Sequence, residues 1–558
     1  MASPPRPVPG PSRSVTPPPS RSAAGGPRRP ALSVGVACLA IFCAYVPQTA
    51  VSSALPSIQA GLGVTTGALA WVIDAFVLAL AAFIMLSGTL GERYGHKKVL
   101  VAGLVLICAG SLTGLCSGSS VRLLWTAQAI LGLAAAALMA SSLAVVSHAV
   151  PDPRRRAQAI GAWASCLAIG LVAGPWLSTL VLDAAGAGWP WIFAALAPTA
   201  VAGLLFAGPG VQETPRRPGR SLDAPGQFAA ALAIAALVFA VIEGPTAGWG
   251  STRVVTGFAV AALAGAGFTL RERRASTPML DLRLFRSREF SVTGIVAVLV
   301  MFGLIGMLFL LSLFFGGVQH ESEGAIALRF SIINGPVIVT GPLAARMARR
   351  LAPQVPLVLG LVLAGAGILS LTVLNPTSAL AVLWWRLAAI GAGFGLVLAS
   401  MTAIAVGSVP PALMSMAGAA SNTLRQTGAA LGPAVLGAVV TSRVAGILPG
   451  ALASRHVHPA TASRARVLLG QGGLHALERL PRGPERRVVV ASAGRAFTDG
   501  VHLAAAVSGA ALLAAALLAL VALRTGREPE RTPAVPAPRA PAGHQQQPPG
   551  PATTSATP

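Results

Sequence analysis

Two ionisable side chains stand inside long apolar runs of this chain, Asp74 in Trp71-Val-Ile-Asp-Ala-Phe and Arg386 in Trp384-Trp-Arg-Leu. A charge buried in a bilayer costs about 2.5 to 3.5 kcal/mol to insert, so where one persists it is read as binding a proton, an ion or a partner. Asp74 is the stronger coupling candidate, because protonation would neutralise it and favour a different arrangement of the helices around it. Arg386 is the second. Gln48, Thr49 and Ser52 form a polar stripe, with 48 and 52 four residues apart on one helix face. The stripe reads equally as cavity lining or as small-residue helix packing, and Gln128 is a further cavity candidate. Nowhere does the chain offer a nucleophile with a paired base, a phosphate loop or a metal-ligand cluster. Neither an enzyme nor ATP-driven transport is expected, and no cofactor or metal is required.

These residues are carried by fourteen apolar runs, at about 31–55, 68–88, 98–117, 121–147, 157–181, 191–211, 226–243, 253–270, 291–315, 324–345, 355–374, 378–405, 417–440 and 501–523. The bilayer core holds no water to satisfy backbone N–H and C=O groups, so an apolar run of roughly 20 residues is stable there only as a spanning helix. Of the 558 residues 54% are hydrophobic and only 10% charged, against about 25% charged in soluble domains. The expected fold is therefore all-α, a polytopic membrane protein of fourteen transmembrane helices. Residues 1–30 and 524–558, rich in Pro, Ser and Arg, cannot build a core and are expected to be disordered tails. The five cysteines have neither CxxC pairing nor metal-ligand spacing and are read as packing residues.

The net charge of +24 lies in loops and tails, without the aromatic-interleaved basic patch of a nucleic-acid binder. It reads instead as topology and contact with lipid headgroups. The breaks after spans 2, 4, 6, 8 and 10 carry Arg93/Lys97/Lys98, Arg154/Arg155/Arg156, Arg216/Arg217/Arg220, Arg271/Arg273/Arg274 and Arg346/Arg349/Arg350, whereas the intervening breaks are nearly free of cations. By the positive-inside tendency both termini are cytoplasmic. The arginine-rich loop 441–500 must then lie outside, as long loops can do whatever their charge.

An internal echo divides the chain. Span 5 carries Gly170-x-x-x-Gly174-Pro175 and span 13 carries Gly428-x-x-x-Gly432-Pro433. The same offset carries Gln128 onto Arg386. Repeated halves of this kind are a transporter signature, giving a six-helix half at 31–211, an inserted helix pair at 226–270 and a second six-helix half at 291–523. In each GxxxGP, small residues permit close helix approach while proline removes a backbone hydrogen bond and bends the helix.

Between spans 2 and 3 stands Gly88-Thr-Leu90-Gly-Glu92-Arg93-Tyr-Gly95-His96-Lys97-Lys98, where an acid and several bases on a tight connection can pair with neighbours and helix ends. Here the chain resembles the major facilitator superfamily, whose motif on this loop reads G-x-L-x-D-R-x-G-R-R/K-x-x-L. Gly88, Leu90, Arg93, Gly95 and Leu100 match, with Glu92 at the acidic position and His96 at a usually basic one. The resemblance implies that Gly88, Glu92, Arg93, Gly95 and Lys97 form a conformational latch. The fourteen spans narrow it to the drug:proton antiporter group, to which Ala54-Leu-Pro-Ser-Ile58, Trp71-Val-Ile-Asp74 and Asn422-Thr-Leu-Arg425-Gln426-Thr-Gly428 are also similar, and Gly170 to Pro175 resembles that group's antiporter motif.

The chain also departs from the group, with Pro47 where an Asp is usual in span 1 and Gln128 where an Arg is usual in span 4. Loss of both charges together is what partners would undergo, since one charge left alone in the membrane is the costly outcome. Coupling then falls to Asp74 and Arg386, with Arg425 in a structural or gating contact. The functional expectation is a bacterial plasma-membrane secondary transporter that exports hydrophobic or cationic small molecules, as in drug and antibiotic efflux, by proton antiport and alternating access. Alternatives are a dedicated exporter of one metabolite with altered coupling, and a non-transporting membrane sensor or scaffold.

Overall fold

The computed structural model describes residues 30–184, 186, 188–214, 223–275, 281–410 and 413–524. The two tails and Arg216, Arg217 and Arg220 lie outside the described residues, as do the side chains of Arg154 and Arg349. Among the described residues the chain forms sixteen α-helices and no β-strand. In order they are α1 Pro30–Ser53, α2 Leu55–Leu62, α3 Thr66–Tyr94, α4 His96–Leu115, α5 Val121–Ala149, α6 Pro153–Thr179, α7 Trp191–Gly210, α8 Ala224–Ala247, α9 Thr252–Arg274, α10 Arg288–Gly317, α11 Glu323–Arg350, α12 Gln354–Leu369, α13 Leu380–Gly407, α14 Met414–Ala453, α15 Pro459–Gly472 and α16 Pro484–Arg524. All but α2 and α15 are long and apolar enough to cross a membrane, which gives 14 spans.

Polar caps end the apolar runs where the sequence breaks. Thr65, Ser120, Asp152, Ser287 and Ser322 each accept a hydrogen bond from a first-turn N–H of the following helix, which satisfies donors that have no partner within the helix itself. Span boundaries agree with the apolar runs to within a few residues except at the last two. There α14 and α16 run 40 and 41 residues, so most of 441–500, which the sequence reads as loop, is helix. The protruding ends of α14 and α16, α15 and a 3-10 turn at Leu474–Arg479 enclose a small core of their own, including Leu448, Leu452, Leu477, Leu480 and Val489. This cap defines one end of the bundle, and the chain termini define the other.

The bundle is two halves. In the first, α1 packs on α5, α6 and α7 while α3 and α4 pack on α5; in the second, α10 packs on α14 and α16 while α13 holds α11 and α12. The halves meet along α3 with α14 and along α6 with α11. The pair α8/α9 packs on itself and touches the bundle through α8 against α3 and α14, where Gln227 donates to the Ala82 carbonyl. The GxxxGP echo is structural as well as sequential. A Cβ at Gly174 would strike Thr49 and the backbone of α1, and one at Gly432 would strike the backbone of α10 at Phe302 and Gly306. Each half thus clamps its first helix against its fifth at glycine.

Candidate substrate cavity and its gates

Where α1, α6, α10, α11, α13 and α14 converge between the halves lies a cavity of about 50 Å³. Its wall includes Tyr45, Gln48, Thr49 and Ser52 of α1, Phe330 and Asn334 of α11, Phe394 of α13, and Arg425 and Gln426 of α14, completed by aliphatic and Met side chains of α6, α10 and α13. The polar stripe of span 1 lies both at this cavity and at a helix contact. Gln48 faces the cavity, while Thr49, also in its wall, donates to the Gly170 carbonyl at 3.3 Å and so joins α1 to α6. Ser52 donates back to the Gln48 carbonyl at 2.7 Å. This space would hold a few waters and is far below the roughly 300 to 1,000 Å³ of a drug-sized site, so the cavity must widen to take such a ligand.

Among the described residues Arg425 is the one charged side chain in that wall. Among them, too, its Nε has no hydrogen-bond partner, nor does Oε1 of the adjacent Gln426. Arg425 belongs to neither of the ion pairs Arg271–Asp223 and Arg329–Glu321. Asn334 donates across the halves to the Leu171 carbonyl at 3.4 Å.

Asp74 lies outside the cavity wall, fully buried on α3, and neither carboxyl oxygen has a hydrogen-bond partner among the described residues. Gln128 is equally buried and does not reach the cavity. Its amide nitrogen donates to the Val72 carbonyl at 3.0 Å, tying α5 to α3 two residues before Asp74, and its Oε1 has no partner among the described residues. Arg386 does not join them. It sits within the first two turns of α13 beside exposed Trp384 and Trp385, donating to the Val382 carbonyl of its own helix with its guanidinium carbon 4.6 Å from the Trp385 ring centre. That is the geometry of a long side chain reaching for the membrane interface.

The segment Gly88 to Lys98, which is the end of α3, Gly95 and the start of α4, is held by the end of α7 and the residues just after it. The backbone N–H of His96 donates to Thr214 Oγ1 at 3.0 Å, that of Lys97 to Glu213 Oε1 at 3.2 Å, and Lys97 Nζ to the Gly208 carbonyl at 2.7 Å. Gly95, at φ +105, occupies a conformation that side chains rarely adopt, and Glu213 fills the space where its Cβ would be. Arg93 is exposed above Tyr94, Glu92 is half-buried, and Gly88 has no neighbour within 4 Å of a Cβ position.

At the cap end the halves are sewn together. Ser312 donates to the Ser53 carbonyl at 3.2 Å, Trp176 Nε1 to Ser331 at 2.9 Å, and Ser57 to Glu323. Asp183 Oδ2, in a π-helical turn after α6, accepts the Gly324 N–H at 2.8 Å in the first turn of α11. A carboxylate there also meets the positive end of the helix dipole. Gly316 packs on Pro56. Sequence reasoning missed Asp183, Glu323, Glu213, Thr214, Tyr45 and Asn334 as site residues. Only Asn334 carried a local signal, an amide in the middle of an otherwise apolar run.

A fourteen-span bundle of two repeated halves around a shared cavity is a transporter architecture, and residues 37–433 match the Major Facilitator Superfamily, to which this chain belongs. It is 32% identical to the multidrug resistance protein Stp of Mycobacterium tuberculosis (strain CDC 1551 / Oshkosh) over 485 residues, 85% of this chain and 88% of that protein. It is 31% identical to the tetracenomycin C resistance and export protein of Streptomyces glaucescens, covering 90% of this chain and 92% of that one. In fold it is similar to a bacterial homolog to the human lysosomal transporter Spinster, solved inward-facing and unoccupied, with a TM-score of 0.61 at 16% identity, covering 90% of this chain and 98% of that chain. The chain is thus a multi-pass membrane transporter and not an enzyme.

Proposed function

We propose that this protein is a secondary active exporter of hydrophobic and amphipathic small molecules, drugs or antibiotics among them, working by proton antiport and alternating access. The observation that carries the reading is the central cavity, walled by helices of both halves, with mainly apolar and aromatic side chains and a few amides. The relatives named for multidrug resistance and for tetracenomycin C resistance and export agree with it. The alternation of arginine-rich and cation-poor breaks over the first ten spans supports cytoplasmic termini in the plasma membrane, with the cap outside. The bonds from Ser53, Ser57, Trp176 and Asp183 to the second half then seal the external side, and opening outward requires them to part. The Gly88–Lys98 segment, held here by Glu213 and Thr214 just after α7, acts as the latch of the opposite state.

Asp74 carries the coupling proton. Its carboxyl is fully buried without a hydrogen-bond partner among the described residues, and an anion so placed is far more costly than the neutral acid. Gain and loss of a proton there therefore biases the packing of α3 against α5 and α14. The test is uptake of an antibiotic and dye panel into inside-out vesicles with an acid lumen. Gradient-driven accumulation that collapses with an ionophore is the expected result. No gradient-dependent uptake of any compound would refute export. In Asp74→Asn, substrate binding should persist while the gradient ceases to drive uptake; a variant as responsive as the native protein removes Asp74 from the mechanism.

A further inference from the structure

Among the described residues the cavity wall holds a cation and no acid. Arg425 projects into it from α14 with Nε unpartnered, the amides of Gln48, Asn334 and Gln426 stand around it, and none of the lining residues is Asp or Glu. The nearby carboxylates are committed elsewhere. Glu323 bonds Ser57 and Asp183 caps α11 at the cap-end seal, while Asp74 lies on α3, a helix that contributes no residue to the cavity wall. A guanidinium within a membrane span is costly unless water or an anion completes its hydrogen bonds. It is also a planar donor array suited to carboxylates and similar oxyanions, and it repels a cation entering the same space. Tyr45, Phe330 and Phe394 supply flat apolar surface beside it.

From this we infer that the substrate class is an aromatic amphiphile bearing an acidic group, a carboxylate or ionised phenol or enol, bound with that oxyanion on Arg425, and that lipophilic cations are poor substrates. The inference rests on the export reading and narrows it, against the cationic class that the sequence alone leaves open.

Two xanthene dyes of one skeleton and opposite charge, fluorescein (anion) and rhodamine 123 (cation), test it on the full-length protein in phosphatidylcholine nanodiscs, where no anionic lipid competes. Fluorescence anisotropy should give fluorescein roughly tenfold or more tighter binding than rhodamine 123, the scale of one hydrogen bond to a charged group. Arg425→Gln should erase the difference and Arg425→Lys should keep most of it. A measurement that needs no variant is displacement of fluorescein by 2-naphthoate and by 2-naphthamide, the acid being expected to compete roughly tenfold better. Equal or tighter rhodamine 123 binding, an Arg425→Gln protein that retains the preference, equal competition by acid and amide, or no binding of either dye each overturns the inference. Flux separates it from the reading beneath it. Arg425-dependent fluorescein binding without transport of either dye upholds the site and refutes export, whereas gradient-driven export of rhodamine 123 at least as fast as fluorescein upholds export and refutes the anionic class.

Discussion

Gly174 leaves no room for a side chain, because a Cβ there would meet Thr49 and, at 2.6 and 2.8 Å, the Ala50 nitrogen and Val46 carbonyl of α1. Backbone cannot rotate aside as a flexible side chain can. Gly174→Leu should therefore destabilise the first half by roughly 1 to 3 kcal/mol or more, the range of overpacked cores. Scanning fluorimetry of the full-length protein should show the lowered melting temperature, while Gly161→Ala on the same helix, with no neighbour within 4 Å, should leave it unchanged. If the two variants melt alike, the clamp is not where stability resides. Asp74→Asn belongs beside them, since a near-isosteric change of a carboxyl with no hydrogen bonds should leave melting untouched while abolishing coupling. At this scale the sequence was partly legible. The GxxxGP pair and the polar face with Gln48 and Ser52 could be read from spacing, because helical periodicity dictates which side chains share a face. The wall contributed by Asn334 and Phe394 could not, because it depends on which way α11 and α13 are rotated, and hydropathy is blind to rotation in helices that are apolar all round. The surroundings of Arg386 were hidden for the same reason. A charge in an apolar run signals depth, and only the structure shows that it lies among exposed tryptophans.

The N-terminus of α11 is where one half completes the other. Ser322 caps its own helix by accepting the Ala325 N–H at 3.3 Å, and the neighbouring Gly324 N–H goes to Asp183 of the first half. A cap contributes about 1 kcal/mol and a carboxylate at the dipole up to roughly another. Asp183→Ala should therefore shift the balance away from the cap-end-closed state by a factor of roughly 5 to 30. Spin labels at Gly118 and Thr377, exposed on cap-end loops of the two halves, in a background with the five native cysteines replaced, would report it as growth of a longer-distance population in pulsed dipolar spectroscopy. An unchanged distance distribution would mean that the seal rests on Pro56 against Gly316 and not on the polar contacts. Most elements were legible, since fourteen apolar runs become fourteen spanning helices for want of any other way to satisfy the backbone in lipid. The exception is 441–500. Hydropathy reports what lipid accepts, and it ends a helix wherever arginines begin, yet arginine is a strong helix former and carries α14 and α16 onward into the cap.

At the scale of the whole molecule the cap is the piece that spans the moving parts. It grows from α14 and α16 of the second half, but Arg479 rests against Gly63 and Gly473 against Gln59 in the first half, while Leu474 and His475 cover Gly317 at the end of α10. Rocking of the halves therefore cannot open the cap end without sliding the cap over α2. His475 makes that contact acid-sensitive. Burial holds its imidazole below its ordinary value, with His320 adding to the effect and Glu478 opposing it, and Nε2 has no hydrogen-bond partner among the described residues. Because the packed form takes up a proton less readily than the detached one, the docking is fully stable above the ordinary histidine range and loses stability as pH falls from about 6.5 toward the lowered value. Hydrogen exchange of residues 441–500 in the full-length protein, corrected for intrinsic rates, should therefore quicken between about pH 7.5 and about pH 5.5. His475→Leu, which keeps the apolar cover and removes the titrating ring, should hold protection constant across the same interval. Native protein with flat protection, or a leucine variant that still loosens in acid, would assign the sensitivity to another group. If the expected pattern holds and the cap is external, the acidic side of the membrane is the side on which it loosens. An inward proton gradient would then ease opening toward the outside, the direction in which an antiporter must discharge its cargo.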